Sequence, residues 1–296
     1  MKLKLLLTFT SLFAVEISIA QDLMSIADSA TSAQNGSKYV ASTFKTTRNI
    51  NFHTVEVLGK HTLDFRISHR FGPMNSGSYD FWGIDQTANI RLGLEYSHDG
   101  RLMFGAGRSS YEKMYDGFLK YRLMRQAIDN GPAVSITLFA GMYYTAQKDQ
   151  NAAINGYDKY EFTSSRFSYV YEAMVARKFT PRFSLQLAPF FVHYNIVERI
   201  TDKNDCYGVA GVMRYKFTKR QAITAEYAYR INNYSNSSYY NSLGIGWEIE
   251  TGGHVFQVHV TNSYGIADNQ YLMFTNTQWN NMGVRLGFNI SRVFTL

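Results

Sequence analysis

The sequence predicts an all-β fold: a transmembrane antiparallel up-and-down β-barrel of about twelve strands. Three observations carry this. From His61 onward apolar and polar residues alternate with period two, the signature of strands with two unlike faces. The connectors alternate between short and long, as they do where one rim of a membrane barrel carries turns and the other carries loops. Aromatic residues, with 22 Tyr and 21 Phe in 296 residues, gather near both strand ends, where membrane–water interfaces place them. A soluble β-sandwich also alternates, but it leaves the paired aromatic rims, the strand lengths and an export signal unexplained.

The chain opens with Lys2 and Lys4, an apolar stretch from Leu5 to Val15, and the small-residue site Ser18-Ile19-Ala20. This predicts a secretory signal peptide over residues 1–20, cleaved near Ala20. The stretch is too short to cross a bilayer, and Glu16 interrupts it. Residues 21–60 form a polar N-terminal segment, within which 43–57 is extended in character but polar on both faces. A thirteenth strand there breaks the even count that bacterial single-chain barrels keep. The segment is therefore expected in the periplasm or folded into the lumen, with the barrel formed by residues 61–296.

Twelve strands follow: His61–Phe71, Ala88–Ser97, Arg101–Ser109, Tyr115–Arg125, Ala133–Tyr144, Arg166–Lys178, Arg182–Tyr194, Cys206–Phe217, Gln221–Ile231, Asn241–Glu250, Gly253–Asn262 and Met282–Phe294. The clearest unit is Ala88–Ser110. Ala88, Ile90, Leu92, Leu94 and Tyr96 share one face, a tight turn falls at His98-Asp99-Gly100, and Leu102, Phe104 and Ala106 return on the same side. Asp-Gly between alternating runs is a strong hairpin signal. Pro189 lies inside a strand and predicts a bulge or a broken ladder bond, because proline has no N–H to donate.

With the apolar face toward lipid, the other parity lines the lumen. Arg66, Arg70, Arg91, Lys120, Arg122 and Arg285 then gather as a basic wall, while Glu226, Glu248 and Glu250 mark an acidic wall opposite, with Arg214, Lys216 and Arg230 among them. Two readings stay open: a transverse field across a water-filled lumen that favours anions, or a paired ion network that fills a narrow barrel. The inward glycines, Gly105, Gly107, Gly244 and Gly246 among them, are expected to relieve crowding. The long connectors 72–87 and 263–281 carry Phe81, Trp82, Tyr271 and Trp279, which are expected to pack against the rim, the alternatives being to bind a ligand or to fold into the lumen as a constriction.

Other chemistries find little support. Cys206 is the one cysteine, so no disulfide framework or thiolate cluster is available. The net charge of +7 is scattered along strands and does not point to nucleic acid. The glycine-rich runs GAGRSS and GIGWE lie within strands, and no histidine spacing suggests a metal site. His69 and His193 face outward near the long-loop rim, but no serine of matching parity stands beside either, as a rim hydrolase needs. The expectation is a protein with no catalytic residues, no metal and no cofactor, and so not an enzyme.

The blocks STFKTTRNINFHTVEVLGKHTLDFRISHRFG (42–72), IDQTANIRLGLEYSHDGRLMFGAGRSSYEKMYDGFLKYRLMRQ (84–126) and VFQVHVTNSYGIA (255–267) resemble an uncharacterised outer-membrane β-barrel family. It is found mainly in Bacteroidota-type bacteria and is labelled domain of unknown function 5777. The resemblance spans nearly the whole mature chain and implies an exported barrel, with no established substrate or catalytic residue to carry over. The expected function is a porin-like pore or binding protein of the Gram-negative outer membrane for a small, anionic solute. The alternatives are a closed structural barrel that engages another envelope protein, and a lipid hydrolase at the rim. Expected partners are membrane lipid and that solute or envelope protein.

Overall fold

The computed structural model describes residues 39–128, 130–150, 152, 156, 158–197, 201–232 and 239–296. The signal peptide expected over residues 1–20 lies outside them. Twelve strands are present: β1 (Thr62–Pro73), β2 (Asn89–Ser97), β3 (Leu102–Ser109), β4 (Met114–Met124), β5 (Ser135–Thr145), β6 (Phe167–Lys178), β7 (Phe183–Tyr194), β8 (Asp205–Lys216), β9 (Gln221–Arg230), β10 (Leu243–Thr251), β11 (His254–Thr261) and β12 (Arg285–Thr295). Each pairs antiparallel with its neighbours in sequence, and β12 closes on β1, from Thr62 opposite Thr295 to Arg70 opposite Gly287. Closure removes both sheet edges, so every strand satisfies its backbone without water, the condition for crossing lipid.

The faces are inverted relative to a soluble domain. On β1, Asp64, Arg66, Ser68 and Arg70 point inward and are buried, while Phe65 points outward. Leu92, Leu94, Leu119, Leu187, Ile223 and Trp247 are likewise on the outer surface. An apolar exterior around a polar interior costs free energy in water and gains it in a bilayer, which sets aside the sandwich.

Local chemistry sets the details. Gly100 takes a positive φ of 78° at the β2–β3 turn, a conformation glycine adopts without a Cβ penalty, and Asp99 Oδ1 accepts the N–H groups of Arg101 and Leu102. The β6–β7 ladder lapses between Glu172–Phe190 and Val175–Leu187 and resumes in the same register. Pro189 sits in that lapse, where its missing donor breaks the ladder.

The lumen is occupied by protein. Residues 43–57 enter from the short-turn rim, turn over at Asn49–Phe52, and leave by the same rim to begin β1. Asn49 N–H bonds Phe52 O, Thr54 N–H bonds Thr47 O, and Arg48 bridges His53, so the segment forms a luminal hairpin. Tyr39 bridges Ala127 and fixes its entry at the β4–β5 turn. From the other rim the 262–284 connector folds inward with a short helix, α1 (Asp268–Met273), every residue of which is buried. The expectation that Tyr271 packs on the rim is therefore corrected. It stacks against the hairpin, its ring 4.8 Å from that of Phe52, because an apolar luminal surface on β4–β8 draws the loop in. Phe118, Phe139, Val170, Met174, Phe190 and Val192 make that surface. Trp279 does stay at the rim, donating to Leu243 O, and Phe81 and Trp82 are exposed on the first outer connector.

Candidate functional site

A non-sheet segment inside a barrel has backbone donors and acceptors that must find partners. Here the walls supply them. Arg66 donates to the carbonyls of Arg48 and Asn49, at 3.2 and 2.7 Å, and to Gln257. Arg70 donates to Ile50 O and Asn51 Oδ1, at 3.1 and 2.8 Å. Lys120 Nζ is shared among the carbonyls of Thr47, Thr54 and Glu56, and Arg122 reaches Val57 O at 2.8 Å. Four of the six basic-wall residues are thus spent on the hairpin's carbonyls through charge-assisted bonds, the stronger kind. Arg91 instead pairs bidentately with Asp116.

The acidic side reads the opposite groups. The Glu226 carboxylate accepts the N–H groups of Ile50, Asn51 and Phe52 at the hairpin tip, together with Asn49 Nδ2. Cations on one wall hold carbonyls and an anion on the other holds amides, so each wall is complementary to one end of the turn's peptide dipoles. Glu248 and Glu250 do not join Glu226. Both pair with Arg214 near the short-turn rim, each at 2.7 Å, and Glu250 also meets Lys45. Beside Glu226, on β10, Gly244 and Gly246 leave the hollow that receives the Ile50 side chain, whose Cδ1 would lie 3.2 Å from a Cβ added at either.

The two plugs meet at Asp268. Its carboxylate takes Arg48 of the hairpin, with Nη2–Oδ2 at 3.3 Å, and the hydroxyls of Tyr143 and Tyr271. Arg48 also faces Glu95 at 3.5 Å, and Glu95 accepts the Thr47 hydroxyl. Neither Arg48 nor Asp268 was legible as a partner in the sequence, since they lie 220 positions apart in a polar segment and a loop.

His53 completes the node, sandwiched by the Phe118 and Phe139 rings at 4.7 and 4.3 Å. Burial, and then Arg48, Lys120, Arg91 and Arg66, push its imidazole well below the ordinary histidine value of 6.5. Asp268, 3.7 Å from Nε2, offsets this only in part. A docked hairpin therefore holds His53 neutral, whereas an undocked one takes up a proton near the ordinary value. Docking is at full strength above pH 6.5 and weakens as the pH falls below it, by up to about 1.4 kcal/mol per unit. Proteolysis of residues 43–57 in the detergent-solubilised protein is expected to rise between neutral pH and mildly acid pH. His53→Gln should flatten that dependence, and an unchanged profile in the variant would rule out His53 as its source.

The remaining candidates are dispersed. His259 points inward and is buried, outside the ion pairs described above. His69 stacks on Phe288, and His193 Nδ1 lies 2.6 Å from Asp205 on the outer surface. Among the described residues no group of three or more His, Cys, Asp or Glu is placed to hold a metal ion. A cavity of about 1130 Å³ opens at the short-turn rim beside the hairpin, lined by Phe44, Lys45, Glu56, Asp64, Arg220 and Glu250. It stops below the hairpin tip.

Closed strands, an apolar exterior and two plugs that meet in the lumen define a membrane-bound β-barrel whose interior is filled by its own chain. The chain belongs to the family described as the membrane bound beta barrel domain (DUF5777), whose model matches residues 44–294. The matched span begins within the luminal hairpin, so the family's domain takes in the hairpin as well as the barrel. No curated protein matches the chain in sequence. Similar solved structures include the NanC porin, at 8% identity over 79% of this chain and 99% of that one, with a TM-score of 0.47. Omp33 of Acinetobacter baumannii is 10% identical over 79% and 99%, with a TM-score of 0.41. Outer membrane phospholipase A from Escherichia coli is 11% identical over 78% and 92%, with a TM-score of 0.44.

Proposed function

We propose that this protein is an outer-membrane barrel held closed at rest, a binding and interaction barrel of the cell envelope in place of an open anion pore. One observation carries the reading. Arg66, Arg70, Lys120 and Arg122, the side chains that would attract a passing anion, bond instead to carbonyls of residues 47–57. A cation spent on an internal carbonyl does not strip the hydration of a solute. The hairpin enters and leaves at the short-turn rim, the periplasmic one in bacterial barrels, so a periplasmic partner that grips the chain ahead of Tyr39 can act on the plug. No catalysis is assigned: His69 is stacked on Phe288, and His193 pairs with Asp205, with no serine hydrogen-bonded to it among the described residues.

Purified full-length protein in a planar bilayer tests this reading directly. Background current at neutral pH is expected. Steady, long-lived channels from the intact chain would sink it.

A further inference from the structure

One member of the basic wall is left over. Arg285 sits at the start of β12, opposite Pro73 and beyond the rung where Arg70 faces Gly287. It therefore lies on the long-loop side of the hairpin's contacts. Its side chain is 7% exposed, and its Nε is buried with no hydrogen-bond partner. Among the described residues no carboxylate pairs with it; the Tyr264 ring covers one face of the guanidinium at 4.6 Å. Tyr264 is itself fixed, with its carbonyl taken by Asn89, its hydroxyl donating to Thr87 O, and its ring edge-on to Tyr111. A guanidinium withdrawn from water with no anion is costly unless something else satisfies it.

Beside it is a cavity of about 510 Å³ lined by Gly72, Asp85, Gln86, Thr87, Tyr264 and Arg285. Its size suits a small molecule. The lining pairs one cation with one carboxylate and the Gln86 amide, whose Nε2 already donates to Asp80 and whose Oε1 remains as an acceptor. Arg285 calls for an oxyanion. Asp85 opposes a dianion such as phosphate but accepts hydroxyl donors.

We propose that this cavity is a binding site at the outer mouth for a small hydroxylated monocarboxylate, its carboxylate on Arg285 and its hydroxyls on Asp85 and Gln86. The site lies outside the plug and fills without any opening of the lumen, so binding and conductance are separate readouts, and failure of one leaves the other standing.

Calorimetric titration of the detergent-solubilised full chain with gluconate, with sorbitol and phosphate as the uncharged and dianionic arms, tests the proposal. Gluconate is expected to saturate, with sorbitol and phosphate each weaker by about tenfold or more. Arg285→Gln should lose gluconate by a similar factor, and Arg285→Lys, which keeps the charge but not the planar fork, should recover only part. Asp85→Asn, on an exposed loop, should weaken gluconate and strengthen phosphate, which keeps the test informative if the Arg285 variants do not fold. No saturable binding of gluconate to the unaltered protein, phosphate binding as well as gluconate, or equal binding by folded Arg285→Gln would each overturn it.

Discussion

Replacing residues 44–57 and residues 266–276 together by short Gly/Ser links turns a silent barrel into a steady conductor, with mean bilayer current rising on the order of tenfold or more. The barrel itself survives, because its closure rests on the β1–β12 ladder, to which neither plug contributes. The freed wall is then solvated, so its charges no longer need the hairpin. Either replacement alone should give a smaller and less steady current, since the hairpin blocks from one rim and α1 from the other. The open form is expected to be only weakly selective. Asp64, Glu95, Asp116, Glu172, Glu226 and Glu248 all face the lumen and are buried there, and they balance the arginines that the sequence alone presents as an anion-attracting wall. A folded double replacement that stays silent would show that something besides the plugs closes the lumen.

The barrel was legible in the sequence because one property, side-chain parity, is both local and binary. Each of the twelve strands falls within three residues of its expected bounds; Arg66, Arg70, Arg91, Lys120, Arg285, Glu226 and Glu248 all point inward and are buried, and Arg122 is half-buried on the same parity. The plug was legible only as one of two alternatives, periplasm or lumen, and its contacts were not legible, for a physical reason. A segment surrounded by polar wall on one side and apolar wall on the other shows no period, and 43–57 reads as polar on both faces. A signal was nonetheless present on its partners. Phe118, Phe139, Met174 and Phe190 share the inward parity, and a water-filled pore has no use for them. Strands that are apolar on both faces are buried on both faces, so β4–β8 announce that something covers their inner side. What covers it is set by contacts more than a hundred positions apart, such as Val55 with Gln186, which no local pattern records.

Arg48 and Asp268 join the two plugs, and the strength of that joint is expected to appear as non-additivity. Asp268→Leu leaves Arg48, 3% exposed, facing Glu95 alone, and strands the Tyr143 and Tyr271 hydroxyls. Breaking a buried pair in this way costs about 3–5 kcal/mol. Arg48→Met likewise leaves the Asp268 carboxylate with two neutral donors and the His53 ring at 3.7 Å, and it takes the facing cation from buried Glu95, so the cost should be of the same order. Combining the two removes both charges, and apolar groups of similar volume then fill the space, an exchange that is often close to neutral. The double variant should therefore lie well above the sum of the singles in thermal stability and flicker less in the bilayer than Asp268→Leu alone. The stranded tyrosine hydroxyls, and Glu95 left without Arg48, keep it short of the unaltered protein, by at least about 1–3 kcal/mol. Additive losses would mean that the hairpin and α1 dock independently. A measured coupling would mean that displacing α1 from outside loosens the hairpin on the other side, with Arg48 and Asp268 as the link.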